Sequence, residues 1–223
     1  VKADGTIVVI GGSSGIGLAV ARRSLDDGAT VVIAGRSQQR LDAARADLAR
    51  TGPPAGRLSA HPVDIGDPAQ VTRLFERVGT LSHLVVTAAD LPYGPVVSLS
   101  EDSMVRAVRS KILGPLFAAQ QAAPRITKPG SITFTSGIAA SRPAPGGALA
   151  ATVNGALESM VLALALELAP IRVNAVSPGW VDTPCGTGWP RLMSRTPGWP
   201  TWPPACPRAA SAVPRTSRTP SPS

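Results

Sequence analysis

The chain has little of what marks a protein for export, metal binding or nucleic acid. Only two of its 223 residues are cysteine, Cys185 and Cys206, with neither metal-ligand spacing nor a histidine nearby. That pattern points to reduced thiols in a cytoplasmic protein and to no metal site. The opening VKADGTIVVIGG has no basic stretch leading into a long apolar run and a small-residue cleavage site, so no secretory leader is expected. No apolar run reads as long enough to span a bilayer, and no membrane role is expected. Acidic residues are missing from one end only. All 14 lie within 1–183, beside 17 Lys plus Arg, whereas 184–223 hold five Arg and no acid. Much of the net charge of +8 therefore belongs to the tail. With no basic helix, and no Lys/Arg stripe interleaved with aromatics, a nucleic-acid partner is not expected.

What is present is alternation. Short β-branched runs follow helical patterns in turn, which predicts βαβ units and a Rossmann-type, doubly wound α/β fold with a parallel sheet and helices on both faces. Strands are expected at Thr6–Ile10, Thr30–Ala34, Leu58–Val63, His83–Thr87, Ser131–Thr135 and Ile171–Val176. Between them, helices are expected at Gly15–Asp27, Gln38–Arg50, from Asp67 as cap to Val78, over Ser100–Ala123 with a break at Gly114-Pro115, and at Ala150–Leu168. The strands are continuously apolar, as a sheet covered on both sides requires. Past Pro184 no period survives. Residues 184–223 hold ten of the 23 prolines and three of the four tryptophans. Such a segment reads either as an irregular Pro/Arg/Ser-rich tail or as GC-rich DNA translated out of frame.

Between the first strand and first helix stands GGSSGIG, with glycines at 11, 12, 15 and 17. A turn this tight needs residues without Cβ strain, and a pyrophosphate needs backbone N–H groups within reach. Gly11 suits the turn, Gly15 the approach of the phosphate, and Gly17 the packing of helix on strand. Ser13 and Ser14 add hydroxyls, and Ile16 opens the helix. A strand before this loop and a helix after it are the context a dinucleotide site needs. At the end of the second strand, where a carboxylate would accept from a ribose 2′-OH, the chain has Gly35-Arg36-Ser37. A guanidinium there can grip a 2′-phosphate, so NADP(H) is expected over NAD(H). After the third strand, Asp64 and Ile65 are placed to hydrogen-bond and sandwich an adenine.

Together these motifs resemble the short-chain dehydrogenase/reductase family over about residues 4–184. The glycines at 11, 15 and 17 match the family loop, and IRVNAVSPGWVDTP at 171–184 is similar to its segment at the nicotinamide end of the cofactor. The resemblance implies a cofactor lying along Ala88, Asn154, Pro178, Gly179, Val181 and Thr183. It also implies a carbonyl or alcohol substrate and a homo-oligomer, although nothing in 185–223 resembles the family's last strand, so the strand at 171–176 would form an open sheet edge.

The catalytic positions depart from the family. Its Ser falls on Ser136, its Asn on Lys111, its Tyr on Ala150 and its Lys, four residues on, on Asn154. The only tyrosine, Tyr93, lies in the loop after the fourth strand. Lys111, with Ser136 orienting the substrate, is the candidate replacement acid. His61 and His83 sit on strands and are expected to be structural. Two readings stay open: an atypical NADP-dependent oxidoreductase, or a non-catalytic NADP(H)-binding module or partner subunit of the same fold.

Overall fold

The computed structural model describes residues 5–50, 52, 56–179 and 181. Six strands form one sheet in the order β3-β2-β1-β4-β5-β6: β1 Thr6–Ile10, β2 Thr30–Gly35, β3 Leu58–Pro62, β4 Leu81–Val86, β5 Ile126–Thr135 and β6 Arg172–Val176. Every pairing is parallel. Chain order therefore reverses direction between β1 and β4, and a crevice opens there beyond the strand ends, the usual place for a ligand in such sheets.

The two sheet faces build two cores, and β1 shows why. Ile7 and Val9 point to one side with Ala21 and Leu25 of α1 (Gly15–Asp26) and Leu41, Ala44 and Leu48 of α2 (Gln38–Ala49). Val8 and Ile10 point to the other, against Leu74 and Phe75 of α3 (Pro68–Val78), Ala118 and Ala122 of α5 (Gly114–Ala122) and Leu157 and Val161 of α6 (Ala148–Glu167). Side chains alternate across a strand, so a run in which every residue is apolar feeds both cores at once.

Three expectations are corrected. The helical region from 100 to 123 is not broken at Gly114-Pro115. Helix α4 (Glu101–Val108) passes through a π-helical turn at Arg109–Leu113 directly into α5. Pro115 has no N–H to bond the preceding turn, and the wider turn accommodates that loss within a continuous helix. Gly114 is needed because a methyl there would press on the carbonyl oxygen of Ile65 at 2.6 Å. Second, β5 starts at Ile126 rather than Ser131. Thr127 to Gly130 resemble a turn in composition, yet Ile126 pairs with Leu81, and the register shifts before Ser131 pairs with His83. Third, α6 is long and apolar enough to cross a bilayer by length and composition, with 20 residues and a mean hydropathy of 1.6. Here one of its faces packs on the sheet through Leu157, Val161 and Leu164. The strand β6 does lie at the sheet edge among the described residues.

Candidate functional site

The strand ends deliver the site residues to one edge of the sheet. After β1 the chain turns through Gly11, whose φ of 97° favours glycine, and Gly15 has a φ of 53°. A methyl at Gly17 would collide with the carbonyl oxygen of Gly11, and one at Gly11 with the Thr87 hydroxyl. The loop is tied to both neighbouring strands. Gly11 and Gly12 N–H donate to the Ala34 carbonyl at 2.7 and 3.2 Å, while Thr87 and Ala88 N–H donate to that of Ile10 at 2.8 and 3.1 Å. With Ser14 as the extended N-cap, the first turn of α1 presents its N–H groups and positive dipole end toward the crevice. This cradle fits a pyrophosphate. Ser13 lies on its β2 side, its hydroxyl 3.3 Å from where a Gly35 methyl would stand.

Beyond β2 and β3 is a cavity of about 320 Å³ lined by Arg36, Asp64, Gly66, Asp67, Pro68, Asp90, Arg106, Arg109 and Ser110. Ser37 does not line it; its hydroxyl caps α2 by accepting from the Arg40 N–H at 3.3 Å. Asp64 reaches the cavity, with Oδ1 accepting from the Gly66 N–H at 2.9 Å. Ile65 does not line the cavity, because its side chain is buried in the core. Arg36 Nη1 donates to Asp90 Oδ2 at 2.9 Å. Asp90, Arg106 and Arg109 were not visible as site residues in the sequence, since none belongs to a motif and each comes from an element distant from the glycine loop.

At the ends of β5 and β6 lies a second cluster. Lys111, on the π turn, is only 3% exposed. Its Nζ donates to the carbonyl oxygens of Thr135 and, at 3.4 Å, Ser136. Desolvation lowers its pKa from 10.5 to about 8. Ser136 Oγ donates to Glu158 Oε1 at 2.7 Å. Glu158 is thus a member of the cluster that residue-by-residue matching passed over; its place one helical turn after Asn154 was the available signal. Asn154 is 2% exposed, and its Oδ1 has no hydrogen-bond partner among the described residues. A methyl on Gly137 would stand 2.8 Å from Asn154 Nδ2. Ala150 is fully buried and brings no polar atom. The Ser136 N–H donates to Val176 O at 2.8 Å and the Ile138 N–H to Pro178 O at 3.0 Å, so Pro178 and Gly179 stand beside this cluster. Val181 is exposed, and Thr183 lies outside the described residues, as do Cys185 and Cys206.

Tyr93 sits in the loop after β4, where burial raises its pKa. The Gly94 N–H donates to Gly146 O at 2.9 Å, joining that loop to the turn that enters α6. The histidines are held within strands: His83 Nδ1 is 2.9 Å from Ser131 Oγ, and His61 Nε2 is 3.3 Å from Ser59 Oγ. Burial lowers the pKa of both. Among the described residues no group of His, Cys, Asp and Glu is placed to hold a metal ion.

Known proteins resemble this chain in sequence and fold. A family model described as enoyl-(acyl carrier protein) reductase matches residues 10–203. A short-chain dehydrogenase/reductase of Stachybotrys chlorohalonatus is 39% identical over 188 residues, covering 78% of this chain and 72% of that protein. Human dehydrogenase/reductase SDR family member 2, mitochondrial, is 35% identical over 188 residues, covering 82% and 67%. Among solved structures, a short chain dehydrogenase from Burkholderia cenocepacia in complex with NADP is similar with a TM-score of 0.75 at 34% identity, covering 80% of this chain and 75% of that one.

Proposed function

The chain belongs to the short-chain dehydrogenase/reductase family, and on that premise we propose that it is an atypical NADP(H)-dependent oxidoreductase acting on a carbonyl or alcohol. The observation that carries this reading is the glycine cradle at the N-terminus of α1 with Arg36 at the rim of the adjoining cavity. A relative of similar structure described with NADP bound supports it. In this reading the cradle holds the pyrophosphate, and Arg36 takes the 2′-phosphate. Asp64 serves the adenosine end, and Asn154, through its unpartnered Oδ1, accepts from a ribose hydroxyl beside Pro178 and Gly179. When bound, the nicotinamide supplies or accepts a hydride.

The chain's own task is then the proton. Ala150 cannot supply it. Lys111 holds an ammonium whose pKa burial brings to about 8, so near neutral pH it can release a proton at Nζ without a large penalty. Its nitrogen is fixed by two backbone carbonyls, one of them from Ser136. The Ser136 hydroxyl is directed at Glu158, which orients it and keeps its oxygen lone pairs available to a substrate hydroxyl.

A specific observation favours a second reading, a non-catalytic NADP(H)-binding module: the position of the family's tyrosine holds a fully buried methyl. NADPH oxidation against a panel of aldehydes, ketones and quinones separates the two. Turnover that falls at least a hundredfold in Lys111→Ala or Ser136→Ala supports the enzyme. NADPH binding without turnover on any substrate supports the module. A homo-oligomer is also proposed, resting on exposed apolar side chains of neighbouring helices, Val105 and Leu116 on α4 and α5 and Leu162 and Leu166 on α6. Sedimentation of the protein as a monomer at micromolar concentration would remove that proposal.

A further inference from the structure

The cavity beyond β2 and β3 holds more carboxylate than a phosphate grip requires. Asp64, Asp67 and Asp90 all line it, together with Arg36, Arg106 and Arg109. Two of the three acids are committed to local backbone. Asp64 Oδ1 accepts from the Gly66 N–H. Asp67 Oδ1 accepts from Ala69 and Gln70 N–H at 2.9 and 3.2 Å, and its Oδ2 accepts from the Gln70 amide at 2.8 Å. Asp90 differs. Its Oδ2 accepts from Arg36 Nη1 at 2.9 Å and lies 3.9 Å from Arg106 Nε, so guanidinium groups are its side-chain partners among the described residues. Its backbone is anchored: the Asp90 N–H donates to Ser110 Oγ at 2.9 Å, and Ser110 donates to Ala107 O at 3.3 Å. The acid is therefore placed by the π turn, while the Arg36 side chain is a 59% exposed arm. An ion pair this exposed is weak, and its guanidinium can change partners.

We propose that Asp90 sets the dinucleotide selectivity of this site by competing with the 2′-phosphate of NADP(H) for the guanidinium of Arg36. The proposal rests on the assignment of this cavity to the adenosine phosphate made above. Arg36 favours the phosphate. Asp90 opposes it twice, by holding the guanidinium before the ligand arrives and by standing as a like charge beside the phosphate afterwards. NAD(H) carries a hydroxyl at the same place, which meets no such repulsion and can donate to a carboxylate. The site is thus less selective for NADP(H) than its arginine alone would make it.

Calorimetric titration with NADPH and NADH tests this on the full chain, its Asp90→Asn and Asp90→Ser variants, Arg36→Gln, and the Arg36→Gln/Asp90→Asn double variant. Melting curves confirm that each variant is folded. Removing the carboxylate should tighten NADPH binding roughly fivefold to tenfold and change NADH binding less than twofold. In the Arg36→Gln background the same change should gain less than twofold, because the contested guanidinium is gone. An unchanged NADPH to NADH ratio in both Asp90 variants overturns the proposal. So does an equal gain with and without Arg36, which would reduce Asp90 to a remote charge. Failure of the unaltered chain to bind either dinucleotide is a separate result: it overturns the cofactor reading itself, and the proposal with it.

Discussion

The two ends of the crevice are built on opposite plans. At the β1–α1 end the work is done by backbone and by missing side chains: glycines where a methyl would strike the chain, and N–H groups left free by the start of a helix. At the β5–α6 end it is done by side chains, the buried Lys111, Ser136 and Asn154 and the half-buried Glu158, clustered at the strand ends. A backbone site tolerates few substitutions, because almost any side chain fills the space the ligand or the neighbouring strand requires. A side-chain site can exchange its members and keep its shape. That difference is why a glycine loop can be expected to keep its family's pattern where a side-chain site departs from it.

The largest effect is expected at the backbone end. Gly17→Val puts carbon against the Gly11 carbonyl and the Thr87 hydroxyl, neither of which can move freely. Overpacking of this kind costs the fold up to about 3 kcal/mol, and the displaced loop should bind NADPH roughly a hundredfold more weakly. Calorimetry measures it, and an unchanged affinity would show that this loop is not the phosphate cradle.

Next comes Lys111, which tests whether the side-chain end is truly buried. Below pH 8 both folded and unfolded chains hold its proton, and the buried ammonium costs the fold a constant amount. Between about 8 and 10.5 the folded chain releases the proton while the unfolded chain keeps it, so the penalty fades as pH rises. The stability difference between the parent chain and Lys111→Met should shift in the parent's favour by up to about 3 kcal/mol between pH 7 and 10.5. Urea unfolding across that range gives the answer, and a flat difference would place the ammonium in water.

A smaller effect is expected from the Ser136–Glu158 bond. Ser136→Ala, Glu158→Gln and the double variant should show a coupling of about 1 to 2 kcal/mol in unfolding free energy. Additive losses would mean that the two side chains act separately. The smallest stability change is expected at Arg36→Gln, within about 0.5 kcal/mol, because its pair with Asp90 is solvent-exposed. The same variant should lose roughly tenfold in NADPH affinity, so this residue separates binding from folding at the backbone end.

The backbone end was the legible one. Glycines at fixed spacing after an apolar run fix a conformation through sterics alone, and sterics can be read from composition and order. Strand and helix positions were legible as well, since continuous β-branched runs and a helical period of 3.6 cover β1 to α3 almost without error. The side-chain end was half legible. Ser136, Lys111 and Asn154 could be singled out only through the family resemblance, and Glu158 enters the cluster only because α6 turns that face inward. Asp90 was silent for a different reason. Its meaning depends on Arg36, 54 positions earlier, and no local pattern announces such a partner. The helix break foreseen at Gly114-Pro115 failed because the propensity of a dipeptide says nothing of the wider turn that can absorb it.

That wider turn has a consequence for how the protein can change. A π turn holds one residue more than the α-helix around it, and the surplus here lets two adjacent residues face inward: Ser110 toward Asp90, Lys111 toward the ends of β5. The arginine- and aspartate-lined cavity and the Lys111–Ser136 cluster are thus fastened to the same five residues. A single-codon deletion between 109 and 113 would restore an ordinary helix and leave α4 and α5 facing as they do, yet only one inward-facing position would remain where two now stand. Descendants of this chain can trade side chains at either place one at a time, but they cannot lose this extra residue and keep both anchors.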